Sequence, residues 1–154
     1  MAIAELPSVS NTPLDLIELR HKRRESALMQ LAVAARRHGV VRNVDALFAL
    51  LVRRERLGTT ALGKGVALAH ARSIVVVRPF WIVGRSPKGI EWGAPDGEPV
   101  QLAVLYLAHH EQSAATHLAR LAAAAQALRL QRTRQRLLSA DAAAAFALLQ
   151  GGGS

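Results

Sequence analysis

The stretch VQLAVLYLA, residues 100–108 of this 154-residue chain, is apolar at every position except Gln101. It therefore lacks the strict alternation that is typical of a strand with one solvated face. It is also far too short to span a bilayer. The run predicts a strand at the centre of a sheet, where both faces are covered by other elements.

Shorter apolar stretches before this run predict the other strands of the sheet. They are rich in β-branched and aromatic residues, and segments with Pro and Gly at turn-forming spacings separate them. A further stretch near the start, LDLIEL, fits either a short edge strand or the approach to a helix. The predicted strands are VALAH (66–70), SIVVV (73–77) and PFWIVG (79–84), the predicted turns are RSPKG (85–89) and APDGEP (94–99), and LDLIEL covers 14–19.

Helical periodicity is found on both sides of these strands. Gly39 ends the first predicted helix, which starts near residue 22, and Asn43 is the predicted N-cap of the second. From Ser113 onward the chain is helical; RLQRTRQRLL (129–138) continues or restarts this helix, and Ser139 is the predicted cap of the last. The apolar stripes are Leu28, Leu31 and Ala35, then Val44, Leu47, Phe48 and Leu51, and finally Leu118, Leu121, Ala122, Ala125 and Leu128.

The order of these elements predicts the fold class. Two helices, several strands and further helices indicate a single α/β domain, with a mixed central β-sheet of about five strands flanked by helices on both faces. We place this domain at residues 15–150. A loose lead-in with two prolines covers 1–14, and the flexible-linker composition GGGS covers 151–154.

Composition and charge limit the function classes. The chain has no cysteine, which excludes disulfides and thiolate metal sites, and its formal net charge is +9. Such a charge favours acidic partners in general. The start, MAIAELPSVS, has neither the basic region nor the apolar core of a signal peptide. We expect a cytoplasmic protein that does not insert into a membrane.

The arginines after the third predicted helix are one candidate for binding nucleic acid. Arg129, Arg132 and Arg136 share a helix face. However, aromatic residues make up only 4% of the chain, and no known DNA- or RNA-reading motif is present. A solvated basic face is therefore the preferred interpretation, and a basic nucleic-acid-binding protein is the less favoured alternative.

A near match to a phosphate-binding loop lies at residues 58–65. GTTALGKG fits the pattern G-x-x-x-x-G-K, but Gly65 stands where a nucleotide-binding loop needs Ser or Thr to hold magnesium. The loop also follows a predicted helix and precedes a predicted strand, which is the reverse of the usual context. The glycines are better explained as backbone positions that need unusual φ and ψ angles.

The longer stretch RRERLGTTALGKGVALAHAR, residues 53–72, resembles the signature of the type-2 enzyme IIA domains of bacterial phosphotransferase systems. This family includes the fructose- and mannitol-type sugar domains and the related nitrogen-regulatory protein. The resemblance covers roughly residues 15–150. The matching positions are Arg54-Glu55, Gly58, Thr59-Thr60, Gly63-x-Gly65 and the strand that leads to His70, together with ESALMQLA (25–32), GRSPKGIEWGAPDGEPVQLAVLYLA (84–108) and HLARLA (117–122).

The resemblance implies a function for His70. By this resemblance, His70 is expected to accept a phosphoryl group from a phospho-histidine carrier protein and to pass it to a downstream transporter domain or a regulatory target protein, with no cofactor. Arg54 and His117 are implied to lie beside it, and Thr60 to contribute a hydroxyl or orient the imidazole. Because no transporter segment is attached within this chain, we expect regulatory use of the nitrogen type rather than sugar transport.

Two observations leave alternatives open. Ala69 stands where the family usually has Pro, so the chain is alternatively a non-catalytic binding module with the same fold and a degenerate active site. His109 and His110, followed by His117, suggest a metal site. Neighbouring residues of a strand point to opposite faces, so we expect a solvated loop and no metal there.

Overall fold

Five strands form one mixed sheet in the computed structural model, which describes residues 12–151. The lead-in predicted for 1–14 and the tail predicted for 151–154 therefore fall mostly outside the described residues. The strands are β1 (Leu14–Glu18), β2 (Ala61–Gly63), β3 (Val66–Ser73), β4 (Phe80–Ile90) and β5 (Val100–His109).

The apolar run at residues 100–108 forms the centre of the sheet, as predicted. The spatial order is β1-β4-β5-β3-β2, with β5 parallel to β3 and antiparallel to β4. The first strand, β1, pairs in parallel with β4 and lies at one edge, which confirms the edge-strand interpretation of LDLIEL. The sheet is therefore mixed, and β5 has a neighbour on each side.

Helices cover both faces of the sheet, again as predicted. The first two pack on one face and the last three on the other. No helix within residues 12–151 has the length and apolar character needed to cross a membrane. The helices are α1 (Arg24–Arg37), α2 (Val44–Arg56), α3 (Ala114–Leu128), α4 (Gln131–Leu137) and α5 (Ala142–Leu149).

The central strand contributes to two separate apolar cores. Leu105 and Leu107 of β5 belong to the core under α1 and α2. Val104 and Tyr106, which alternate with them along the strand, belong to the core under α3, α4 and α5. Successive side chains of a strand point to opposite faces, so this double burial explains why the run has almost no polar residue.

Two strand and turn predictions are wrong. SIVVV does not form a strand: the chain turns after Ser73, whose hydroxyl accepts a hydrogen bond from the Val75 N–H at 3.2 Å, and Val76 makes only an isolated bridge to Val41. RSPKG is not a turn but part of β4, with an irregularity in the register between Arg85 and Ile90. Its proline and glycine are accommodated in an irregular strand.

Of the two predicted N-caps, Asn43 is confirmed and Ser139 is wrong, and the helix predicted from Ser113 onward starts there. Asn43 and Ser113 each accept a hydrogen bond from a backbone N–H three residues later. The last helix is capped by Asp141 and not by Ser139, because the aspartate side chain accepts from the Ala144 N–H. The stretch RLQRTRQRLL does not continue α3, because Gln131–Leu137 within it form the separate short helix α4.

The predicted apolar stripe of α3 is rotated relative to the observed one. Leu118, placed in the stripe by the sequence, is 63% exposed. The buried face instead contains His117, Leu121, Ala124 and Leu128, which recur at helical spacing. The error came from treating His117 as outside the buried face.

Candidate active site

His70 lies near the end of β3, on the face of the sheet that α3 covers. Val66 and Leu68, two and four residues earlier on this strand, belong to the core on that face. In the strand register His70 is opposite Tyr106 of β5, and Tyr106 is opposite Trp81 of β4. The imidazole is only partly buried. A reactive side chain is therefore held by the sheet and remains open to solvent.

His117 reaches the same place from the first turn of α3. Its ring centroid lies 5.5 Å from that of His70 at an interplanar angle of 62°, and 5.4 Å from that of Tyr106 at 29°. The residue is 6% exposed, and its Nδ1 atom is buried without a hydrogen-bond partner among the described residues. The structure thus brings together the two histidines that the sequence singled out.

Two arginines contribute positive charge to this pair of histidines. Arg54 lies in the last turn of α2, and its Nη1 donates to the Gly58 carbonyl at 2.8 Å. Arg72, two residues beyond His70, donates from Nη1 to the carbonyls of His110 and Gln112, both at 3.0 Å. Arg72 therefore ties the loop before α3 to β3.

Both histidines are uncharged near neutral pH. Burial lowers the pKa of His70 from its usual 6.5 to about 4, and the neighbouring His117 and Arg54 act in the same direction. Burial also lowers the pKa of His117, and the positive charge of Arg72 adds to that effect. An uncharged imidazole has a free lone pair, so His70 can act as a nucleophile.

The Thr60 hydroxyl, which the resemblance implied would serve the site or orient the His70 imidazole, is hydrogen-bonded to Glu55. Thr60 is buried, its hydroxyl donates a hydrogen bond to the Glu55 carboxylate, and its N–H donates to Glu55 Oε1 at 3.0 Å. The same oxygen accepts from Trp92 Nε1 at 3.2 Å and lies 3.9 Å from Arg24 Nη1. Glu55 therefore joins α1, α2, the loop before β2 and the segment after β4.

The role of Glu55 was missed in the sequence, although a signal was present. Glu55 follows Leu47 and Leu51 at four-residue intervals, so a carboxylate continues the buried face of α2. Such a group is rarely buried without partners. Its place in that stripe could have identified it as the centre of a hydrogen-bond network.

The whole described chain matches one family model. Residues 12–151 match the family described as phosphoenolpyruvate-dependent sugar phosphotransferase system, EIIA 2. The chain belongs to this family. It is one of the EIIA phosphotransfer components, which the resemblance of residues 53–72 had indicated.

Three relatives of this EIIA chain show how far the similarity extends. A nitrogen regulatory protein of Bradyrhizobium diazoefficiens is 38% identical over 85% of this chain and 85% of its own length. A fructose-specific EIIA component of Haloferax volcanii is 34% identical, over 84% of this chain and 85% of that protein. The crystal structure of nitrogen regulatory protein IIA-Ntr from Neisseria meningitidis is 25% identical, with a TM-score of 0.78 and coverage of 89% and 96%.

The glycine loop of this EIIA chain is the turn between β2 and β3. Gly63 and Gly65 have φ angles of 89° and 81°, and Lys64 between them also has a positive φ of 57°. The Lys64 N–H donates to Asp96 Oδ2 at 2.8 Å, which fixes the turn. The prediction that these glycines serve backbone geometry is confirmed, since side chains rarely adopt such angles.

The neighbouring histidines at the end of β5 lie apart from the pair formed by His70 and His117. His109 is the last residue of β5 and His110 lies in the following turn, so strand alternation does not separate their rings, whose centroids are 4.2 Å apart. Among residues 12–151, no group of three or more His, Asp or Glu side chains is arranged to hold a metal ion.

Proposed function

We propose that this EIIA chain is a phosphocarrier whose His70 accepts a phosphoryl group from a phospho-histidine carrier protein. The observation that carries the proposal is the contact between two uncharged histidines, one partly exposed and the other buried with an unpartnered Nδ1. This arrangement provides a nucleophile, the imidazole of His70. Next to it lies a buried polar atom, His117 Nδ1, that has no hydrogen-bond partner within the described residues.

The transfer exchanges one nitrogen–phosphorus bond for another. A lone pair on a ring nitrogen of His70 attacks the phosphorus of the donor's phosphohistidine, which is protonated on its other ring nitrogen. The donor's nitrogen–phosphorus bond breaks, and its electron pair returns to a ring that leaves as neutral imidazole. His70 is then phosphorylated on one nitrogen and protonated on the other. Positioning and charge stabilisation carry most of the catalysis in such reactions.

The neighbours of His70 have separate proposed roles. The positive charge of Arg54 contributes to the lowered pKa of His70. A guanidinium is also suited to bind phosphoryl oxygens. The buried Nδ1 of His117 gains a hydrogen-bond partner when a phosphoryl group arrives. Thr60 acts through Glu55, and its role is to hold the loop between α2 and β2.

Exposed apolar side chains that are close to these residues in the sequence support docking of a partner protein. Leu57 is 81% exposed and follows Arg54 by three positions, Ile74 is 73% exposed and follows His70 by four, and Leu118 directly follows His117. Apolar side chains around a reactive group favour a protein partner. The net charge of +9 favours an acidic one.

We further propose regulatory use of the nitrogen type. The match to the nitrogen regulatory protein of Bradyrhizobium diazoefficiens extends over most of both chains and supports this choice. The match to a fructose-specific component supports sugar transport as the other use. Onward transfer from the phosphorylated chain to a fructose-type EIIB domain would favour transport.

The decisive experiment is phosphoryl uptake. The chain is incubated with phosphorylated donor carrier protein, and intact mass and acid lability of the product are measured. We expect an acid-labile phosphoryl group on the wild type and on His109→Ala, and none on His70→Ala. If the folded wild type takes up no phosphoryl group, the non-catalytic binding module is the better interpretation, with Ala69 as part of a degenerate site.

A further inference from the structure

Tyr106 forms the surface on which His117 rests. It is fully buried on β5, opposite His70 in the strand register, and its ring is stacked on that of His117. On the other side, Trp81 of β4 lies 4.4 Å from Tyr106 between ring centroids. Tyr106 therefore has a fixed place in the sheet, between a buried tryptophan and the two histidines.

The hydroxyl of Tyr106 is held by two residues that flank His117 in the chain. Arg120 Nη1, on α3, donates to Tyr106 Oη at 2.9 Å. The side-chain amide of Gln112, in the loop before α3, faces the same oxygen with Nε2 at 3.0 Å and Oε1 at 3.2 Å. One phenol therefore fixes both the loop and the first turns of the helix that carries His117.

A second link fixes the same loop from β3. Arg72 donates to the main-chain carbonyls of His110 and Gln112. Gln112 is thus held through its main chain by the strand of His70 and through its side chain by Tyr106. The distance between His70 and His117 depends on these links, because Ser113, the next residue, caps α3.

The position of the His117 imidazole depends on contacts made by other residues. Its Nδ1 has no hydrogen-bond partner within residues 12–151, and its imidazole is in ring contact with His70 and Tyr106. A ring that is not anchored by hydrogen bonds at Nδ1 takes its position from its helix and from the surface beneath it. Small errors in such positions are costly in transfer reactions.

We infer that Tyr106, through its hydroxyl contacts with Arg120 and Gln112, is the positioning residue for His117 in phosphoryl transfer. This inference rests on the proposed function of His70. Tyr106→Phe keeps the ring and its stacking but removes the contact that fixes α3. Arg120→Gln removes the charged donor from the exposed side of the same contact, where loss of folding is not expected.

The test measures the kinetics of phosphoryl uptake and the NMR signals of the histidine rings. We expect Tyr106→Phe and Arg120→Gln each to lower kcat about tenfold with little change in KM for the phosphorylated donor. The double variant should lose little more than Tyr106→Phe alone, because phenylalanine already lacks the hydroxyl to which Arg120 donates. The ring nitrogen shifts of His117 should change in both single variants, while Arg132→Gln, an exposed arginine on α4, should change neither readout.

The outcomes separate this inference from the proposed function. Wild-type kcat and unchanged His117 signals in both single variants, with normal uptake by the wild type, would overturn the positioning role alone. Multiplying losses in the double variant would also contradict a shared contact. If the wild type takes up no phosphoryl group, the proposed function fails, and the His117 signals of the two variants still report whether Tyr106 positions the ring. Circular dichroism at the assay temperature establishes that each variant is folded.

Discussion

The imidazoles of His70 and His117 meet edge to face, with centroids 5.5 Å apart, although 47 positions separate them in the chain (117 − 70). One ring is supplied by a strand and the other by the first turn of a helix on the same face of the sheet. Neither ring pairs with a carboxylate among the ion pairs described. Both are kept uncharged by burial and by nearby arginines, which has a measurable consequence for stability.

The free energy of unfolding should decrease as the pH falls from 6.5 towards 4. In the folded state the pKa of His70 is lowered to about 4, while in the unfolded chain it is near 6.5, so in this range the unfolded state binds more protons. The lowered pKa of His117 acts in the same direction. We expect urea unfolding of His70→Gln to show a shallower decrease than the wild type over this range.

Two carboxylates with lowered pKa values affect mainly the acidic end of this measurement. The pKa values of Glu25 and Asp96 are lowered from their usual 4.5 and 3.8. The stability that these two carboxylates contribute to the fold is therefore lost at the acidic end of this pH range and below it. His21→Gln, at an exposed site, is the control for the replacement of an imidazole by an amide. An identical pH dependence in His70→Gln and the wild type would contradict the lowered pKa of His70.

The Glu55 network should be important for stability. Glu55→Gln keeps the shape of the side chain but replaces one carboxylate oxygen by an NH2 group, so the side chain can no longer accept hydrogen bonds from both the Thr60 hydroxyl and the Thr60 N–H. We expect a loss of about 1–3 kcal/mol in the free energy of unfolding at pH 7, measured with urea. Glu98→Gln, at an exposed carboxylate, is the matched control. Equal stability of the two variants would show that Glu55 is dispensable for the fold.

Much of the fold could be predicted because its signals are local. The apolar run at 100–108 predicted the central strand, and Asn43 and Ser113 predicted helix starts that depend only on a side chain and a backbone N–H three residues later. The errors involve tertiary context. RSPKG has turn-forming residues, yet it continues β4 because pairing with β5 resumes at Ile90.

The site could be predicted only in part, for a related reason. The family resemblance implied that Arg54 and His117 lie beside His70, but it could not show which contacts hold these residues. In the sequence, Tyr106 cannot be distinguished from the apolar residues of its strand. Its contact with Arg120 joins β5 to α3 across 14 positions of the chain. Such contacts depend on strand register and helix rotation, and the predicted rotation of α3 was wrong.

Arg54 should contribute through its planar guanidinium as well as through its charge. Arg54→Lys keeps the positive charge but loses the geometry suited to phosphoryl oxygens and to the Gly58 carbonyl. We expect the rate of phosphoryl uptake to decrease about tenfold. Arg53→Lys, an exposed position on the same turn of α2, is the control and should retain the wild-type rate. Equal rates in the two variants would exclude a specific role for Arg54.

Ala69 stands at the position where the resemblance to the family implies a proline before His70. It is 3% exposed, packs in the core under α1 and α2, and lies opposite Leu105 of β5. Proline there would fix φ directly before His70 and reduce the conformational freedom of the strand that presents the imidazole. Although Ala69 is paired with β5 as Ala71 is, proline is the residue that the family resemblance implies at position 69 and not at 71. We therefore expect Ala69→Pro to remain folded and to accept the phosphoryl group about threefold faster, as measured by rapid-quench uptake.

The matched control for this substitution is Ala71→Pro, on the other side of His70. Ala71 is also buried in β3, opposite Leu107, and proline inside a paired strand removes a backbone donor. We expect this variant to lose stability strongly in urea unfolding. Two results would contradict this prediction: Ala69→Pro is as strongly destabilised as Ala71→Pro, or it takes up the phosphoryl group more slowly than the wild type. Either result would show that proline at position 69 does not improve the orientation of the His70 imidazole.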